Sequence, residues 1–189
     1  MAKITIKTRE IAGFASAVEA LRLPFGKECR SETHAMQIVD EEGVFGFSIE
    51  HASKVEFDGK DLKLMQTLIK RGDEHAKVIR GIVVYAEIEA PIWFYRELET
   101  YRIGRERLSS ESTMHIECRG LGGEDLEKAK DEIPMGHMQK TMDMFSYQCL
   151  RRIYVQRRNH RLPMWRTFCE WIANLPFADE LILVGLGNE

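Results

Sequence analysis

Arginine, serine and threonine crowd one tract of this 189-residue chain. Arg96, Glu97, Tyr101 and Arg102 are followed closely by Arg105, Arg107, Ser109, Ser110, Ser112 and Thr113. A guanidinium can fork onto phosphate through two parallel N–H donors, and hydroxyls and loop amides can supply the remaining bonds. The tract therefore has the make-up of an oxyanion site, or alternatively of a solvated polar loop. A second cluster comprises Arg151, Arg152, Arg157, Arg158, Arg161 and Arg166. Helical spacing would put Arg151 and Arg158 on one side, as a solvated face or a patch for a polyanion. As a surface for single-stranded nucleic acid it would have only Tyr147 and Tyr154 for base stacking.

Other chemistries find less support. His34, His51, His75, His115, His137 and His160 are scattered, with no H-x-x-x-H or H-E-x-x-H pair, so no metal site is expected. Cys29, Cys118, Cys149 and Cys169 form no Cys-x-x-Cys pair and read as reduced thiols. There is no G-x-S-x-G nucleophile elbow, and Gly120-Leu121-Gly122-Gly123 does not match a dinucleotide fingerprint. A formal net charge of -3 gives no global basic field, so nucleic acid is not the expected partner. With 44% hydrophobic and 30% charged residues the profile is that of a globular protein, read as one domain over residues 1–189. No apolar run reaches membrane-span length and the first residues lack a signal-peptide pattern, which points to the cytoplasm.

The elements that must carry these residues follow from periodicity. Residues 1–8 alternate like a strand, and residues 10–23 carry apolar side chains at helical spacing. Residues 36–39 and 44–49 read as a hairpin around Asp40-Glu41-Glu42-Gly43, with a further short strand and turn over 55–60. A short amphipathic helix is expected over 61–70, with Gly72 just past its end. The strongest strand is 79–88, rich in β-branched residues. Pro91 then opens a helix running to about residue 102, and residues 103–115 read as a polar loop. Residues 124–131 form a charged helix or a solvated excursion. The longest helix is expected over 137–158, from Met138, Met142, Phe145 and Cys149, and another over 163–174. A last strand is expected at 181–184. The sum is an α+β or mixed α/β domain.

The stretch Ala90-Pro91-Ile92-Trp93-Phe94-Tyr95-Arg96 resembles the start of the signature helix of the flavin-dependent thymidylate synthases, the ThyX family. Arg96-Glu97 falls where that family has Arg-Gln, Thr100-Tyr101-Arg102 where it has Arg-His-Arg, and Ser112 where it has its signature serine. Gly72-Asp73-Glu74-His75 falls at its Gly-His motif, and Arg157 at an arginine that contacts the nucleotide. The same segments, with Tyr101-Arg102-Ile103-Gly104 and Gln156-Arg157-Arg158-Asn159-His160, are also similar to small phage and prophage proteins of thymidylate-synthase type.

The resemblance implies a ThyX-like mixed α/β domain with a central antiparallel sheet and long C-terminal helices. It implies transfer of a one-carbon unit to C5 of a deoxyuridine monophosphate-like nucleotide. FAD would be the cofactor, NADPH and methylenetetrahydrofolate the co-substrates, and a homotetramer the assembly. By matched position, Arg157 and Ser112 are the expected catalytic residues. Arg96, Glu97, Arg102, Arg105, Arg107, Ser110 and Ser112 are expected at the nucleotide, and His75, Tyr101, Arg102 and Arg152 at the flavin. The departures fall on ligand-touching positions: Thr100 and Tyr101 replace Arg and His, Met114 and His115 replace Arg and Tyr, and Ser146 and Arg152 stand where asparagines are usual. Three readings follow: the parent reaction, a nucleotide-binding protein of the same fold that has lost catalysis, or a nucleic-acid module built on the Arg151 to Arg166 cluster.

Overall fold

The computed structural model describes residues 3–26, 38–39, 45–46 and 57–187. Its centre is a four-stranded antiparallel sheet in the order β1-β4-β6-β5. The strands are β1 (Thr5–Ala12), β4 (Val83–Pro91), β5 (Arg105–Ser110) and β6 (Met138–Ser146). β4 has the expected sheet alternation: Val84, Ala86, Ile88 and Ala90 are buried, while Val83, Tyr85, Glu87 and Glu89 are partly exposed. One face of the sheet is thus core, and the helices cover it.

Those helices are α1 (Phe14–Arg22), α2 (Gly59–Lys70), α3 (Ile92–Leu98), α4 (Gly123–Asp131), α5 (Tyr147–Arg157) and α6 (Pro163–Ala173). Phe94 and Leu98 of α3 meet Leu150 and Ile153 of α5 and Trp165, Phe168 and Ile172 of α6 in one buried cluster. Phe94 and Trp165 stack with centroids 4.6 Å apart. The hairpin is present as β2 (Ile38–Val39) paired with β3 (Phe45–Gly46); the rest of that expected segment lies outside the described residues.

Four expectations are corrected. Residues 137–158 are not one helix: β6 occupies the first part and α5 begins only at Tyr147, capped by the Ser146 hydroxyl, which accepts the Cys149 amide at 3.2 Å. The apparent helical stripe mixed the two faces of a strand, because Phe145 points into the core while Met142 and Met144 are on the partly exposed side. The C-terminal helices are accordingly short, at 11 residues each. Residues 103–115 are not all loop, since β5 pairs along β6 from Arg105 to Ser110. Residues 181–184 are not a strand; Ala178–Ile182 is a π-helical turn. At 55–60, the described part turns into a helix start, with the Asp58 carboxylate accepting the Lys60 amide at 2.9 Å. Boundaries also move: β1 runs on to Ala12, so α1 begins at Phe14; β4 starts at Val83 and runs on to Pro91, because Ala76–Arg80 is a 3-10 turn; and α3 ends at Leu98. The helix over 163–174 and Gly72 beyond α2, at φ 115°, match the expectation.

Candidate functional site

Local folding brings the 100–103 segment against α5. After α3, the Thr100 amide bonds to the Glu97 carbonyl and the Tyr101 amide to the Leu98 carbonyl, so the chain turns back tightly. Gly104 then adopts φ 83°, and its carbonyl accepts the Ser146 amide at 2.7 Å. A cleft of about 540 Å³ opens between the segment and the helix, lined by Thr100, Tyr101, Arg102, Ile103, Cys149, Arg152 and Gln156. Its volume lies in the range of small-molecule sites.

Arg152 is turned by Asp73, whose carboxylate accepts its Nε at 2.5 Å. Buried Gln148 donates to the Asp73 carbonyl at 2.7 Å and accepts from Arg80, tying the 72–75 loop to α5. His75 lies two residues beyond Asp73, about half exposed, with Glu74 at 3.9 Å. Arg102 is exposed. Cys149 forms part of the wall as a protonated thiol, because burial pushes it up to about 11.

Beneath Tyr101 lies a second group. Arg157 donates through Nε to the Tyr101 hydroxyl at 2.8 Å, and through Nη1 to Glu97 at 3.3 Å. Its guanidinium stacks over Trp165 at 4.4 Å, and His160 Nε2 lies 3.0 Å from Nη1. The Glu97 oxygen that meets Arg157 also accepts Trp165 Nε1 at 2.8 Å. Tyr101 in turn donates to Gln156 at 2.9 Å. Burial raises the Tyr101 phenol above its ordinary range, against the opposing pull of Arg157.

The remaining candidates lie along β5 and beyond it. Arg105 is buried and bonds to fully buried Asp143; Arg107 bonds to Glu99 at 2.7 Å, with its Nε 3.8 Å from Asp143. Ser110 pairs with Thr141 at the far end of the strand, and Ser112 follows in the next turn, its carbonyl accepting the His115 amide. Five strand steps of about 3.3 Å each, from Arg105 to Ser110, set Ser110 roughly 17 Å from the cleft end of β5. Arg96 is exposed on α3, with its Nη1 4.0 Å from the Met135 sulfur. The chain therefore gathers Tyr101, Arg102 and Arg152 at one cleft, with Glu97 and Arg157 behind it, and leaves Ser110 and Ser112 apart.

Sequence reasoning did not single out Asp143, Gln156 or Cys149. Asp143 carried a signal: an acid between Met142 and Met144 in a strand must be paired if it is buried, and Arg105 and Arg107 share a strand face. In the C-terminal basic cluster, Arg151 and Arg158 both reach the 182–187 segment. Arg151 donates to the Ile182 carbonyl, Arg158 to Gly187 at 2.9 Å and Arg166 to His160 at 3.3 Å.

No protein-family model and no curated protein matches the sequence. Solved structures do match the fold, among them flavin-dependent thymidylate synthases and a UMP/dUMP methylase. Thymidylate synthase X from Helicobacter pylori, solved with FAD and dUMP, aligns over 95% of this chain and 97% of its own with a TM-score of 0.66 and 11% identity. The UMP/dUMP methylase PolB from Streptomyces cacaoi, bound with 5-Br dUMP, aligns over 98% and 97% with a TM-score of 0.63 and 14% identity. The chain thus has a ThyX-like fold with a strongly diverged sequence. No helix among the described residues is long and apolar enough to cross a membrane.

Proposed function

We propose that this chain is a flavin-dependent thymidylate synthase-like protein that transfers a one-carbon unit to C5 of a deoxyuridine-type nucleotide, using reduced FAD and a folate. One observation carries the reading: Tyr101, Arg102 and Arg152, at the positions that resemble the family's flavin contacts, line a single cleft. The residues suit such a group. Tyr101, Ile103 and Cys149 offer walls for a flat ring, and the guanidinium groups of Arg102 and Arg152 offer partners for phosphate. A reduced flavin held there would supply hydride, with NADPH as its reductant and methylenetetrahydrofolate as carbon donor.

The protein's part is orientation and charge. Arg157, steadied by Tyr101 and the Trp165 ring, would stabilise negative charge developing on the pyrimidine. Arg102 would hold phosphate. Ser110 ends β5 and Ser112 lies beyond it, so a site that includes them draws them from a second copy, in keeping with a homo-oligomer. The whole of residues 1–189 acts as one domain in this reading.

One observation favours a second reading, a nucleotide-binding protein without turnover. The Arg157 guanidinium already faces the Glu97 carboxylate, which leaves less of its charge for a reacting ring. No comparable observation favours the nucleic-acid module.

The test is a visible absorption spectrum after adding FAD and removing the excess. A retained flavin band, with NADPH oxidation dependent on dUMP and methylenetetrahydrofolate, supports the enzyme. Folded protein that binds dUMP but keeps no flavin leaves the second reading. Binding of neither overturns both.

A further inference from the structure

Asp143 has no solvent exposure, yet two arginines converge on it from β5. In the sheet register Arg107 is its direct partner and Arg105 lies one pair along on the same face. Thr141, two residues back on β6, donates to the other carboxylate oxygen at 2.5 Å. Stability alone is a poor reason for this cluster. Buried ion pairs rarely outdo an apolar filling of the same volume, and Arg105 Nε, Arg107 Nε and Arg107 Nη2 are buried without a hydrogen-bond partner among the described residues.

The cluster's position gives a better reason. Arg105 follows directly on Gly104, where the cleft-lining 100–103 segment ends. Three residues beyond Asp143, Ser146 both bonds the Gly104 carbonyl and caps α5, the opposite wall. A Cβ on Gly104 would come within 2.4 Å of the Ser146 hydroxyl, so the two walls meet as closely as glycine allows. One short run of β6 therefore holds both sides of the cleft.

We propose that Asp143 is a positioning residue for the cleft: through Arg105 it fixes the 100–103 segment at a set distance from α5. The proposal rests on the reading of that cleft as the ligand site. Its test does not.

Hydrogen exchange would be measured on the full chain for wild type, Asp143→Asn, Arg105→Met and the double variant Asp143→Leu with Arg105→Met. The amides of Tyr101, bonded to Leu98, and of Ser146, bonded to Gly104, are expected to exchange about tenfold faster or more in all three variants, while β4 and the middle of α5 stay protected. Where wild type retains flavin, retention falls in parallel. Three results would overturn the proposal: wild-type protection of the Tyr101 and Ser146 amides in folded Asp143→Asn, equal loosening throughout β4 and β6, or full protection in the double variant. Should Asp143→Asn not fold, the double variant, which removes both members of the buried Arg105–Asp143 pair and leaves Arg107 with Glu99, answers the same question. A wild type that keeps no flavin counts against the proposed function and leaves the exchange result standing.

Discussion

Arg157 donates to the hydroxyl of Tyr101 at 2.8 Å, and so joins the last turn of α5 to the segment that walls the cleft. The same hydroxyl donates onward to Gln156. Removing it in Tyr101→Phe leaves part-buried Arg157 and exposed Gln156 each short of a bond. A loss of about 1–2 kcal/mol is expected in urea unfolding with an unchanged m-value. An unchanged midpoint would mean that the network is not held in solution.

Arg157→Ala and Arg102→Ala probe the two sides of that tyrosine. Each is expected to weaken dUMP binding about tenfold or more in calorimetry, the equivalent of one charge-assisted contact. Full affinity in Arg157→Ala would move the nucleotide away from the end of α5. Full affinity in Arg102→Ala would move its phosphate off the cleft rim.

Gly104→Ala should be costly twice over. The residue sits at φ 83°, disfavoured for any side chain, and the new methyl would strike Ser146. A loss of about 2 kcal/mol or more is expected from left-handed strain and overpacking together. A variant as stable as wild type would show that the turn relaxes freely.

Cys149 and Cys169 should resist alkylation. Both are buried, and burial pushes their thiols up to about 11 and about 12. With iodoacetamide at neutral pH, mass-spectrometric mapping should find both modified far more slowly in folded than in urea-unfolded protein. Equal rates would show that the α5 wall opens readily.

Base should unfold the protein through its buried phenols. Tyr95 lies with its hydroxyl 2.7 Å from the Ile88 carbonyl, and burial raises it from 10.0 to about 12. Folding therefore favours the protonated phenol. That contribution is whole below pH 10 and is lost as pH rises from 10 towards 12. Tyr147, raised by burial as well, adds to the same loss. Urea midpoints should fall across this window, and less steeply in Tyr95→Phe. A parallel fall in that variant would assign the titration elsewhere.

Much of this architecture was legible where hydrophobic period and burial agree. β4 announced itself because its β-branched side chains pack into the core, and α6 because Trp165, Phe168 and Ile172 form one stripe. β6 was misread because its buried face carries Thr141 and Asp143 while Met142 and Met144 stand on the partly exposed face, which inverts the usual pattern. β5 was hidden for a related reason: its inward side chains are Arg105 and Arg107, whose carbon stems and charges are accommodated only once Asp143 is opposite. For the candidate site, periodicity could not bring Tyr101 to Arg157 across 56 positions. The family resemblance drew attention to both residues, and the fold brings them into contact.

The strand that carries Asp143 imposes a condition of parity on evolution. Side chains of β6 alternate between core and open face, and Asp143 and Ser146, three residues apart, now point to opposite faces, so an insertion or deletion of one residue between them would turn one of the two to the wrong side. Length changes there are tolerable only in pairs, or with a bulge to absorb the odd residue. The loop from 111 to 122 faces no such condition, because its side chains, Cys118 apart, are not buried. Relatives of this protein should therefore vary freely in length across that loop and hold their count between Asp143 and Ser146.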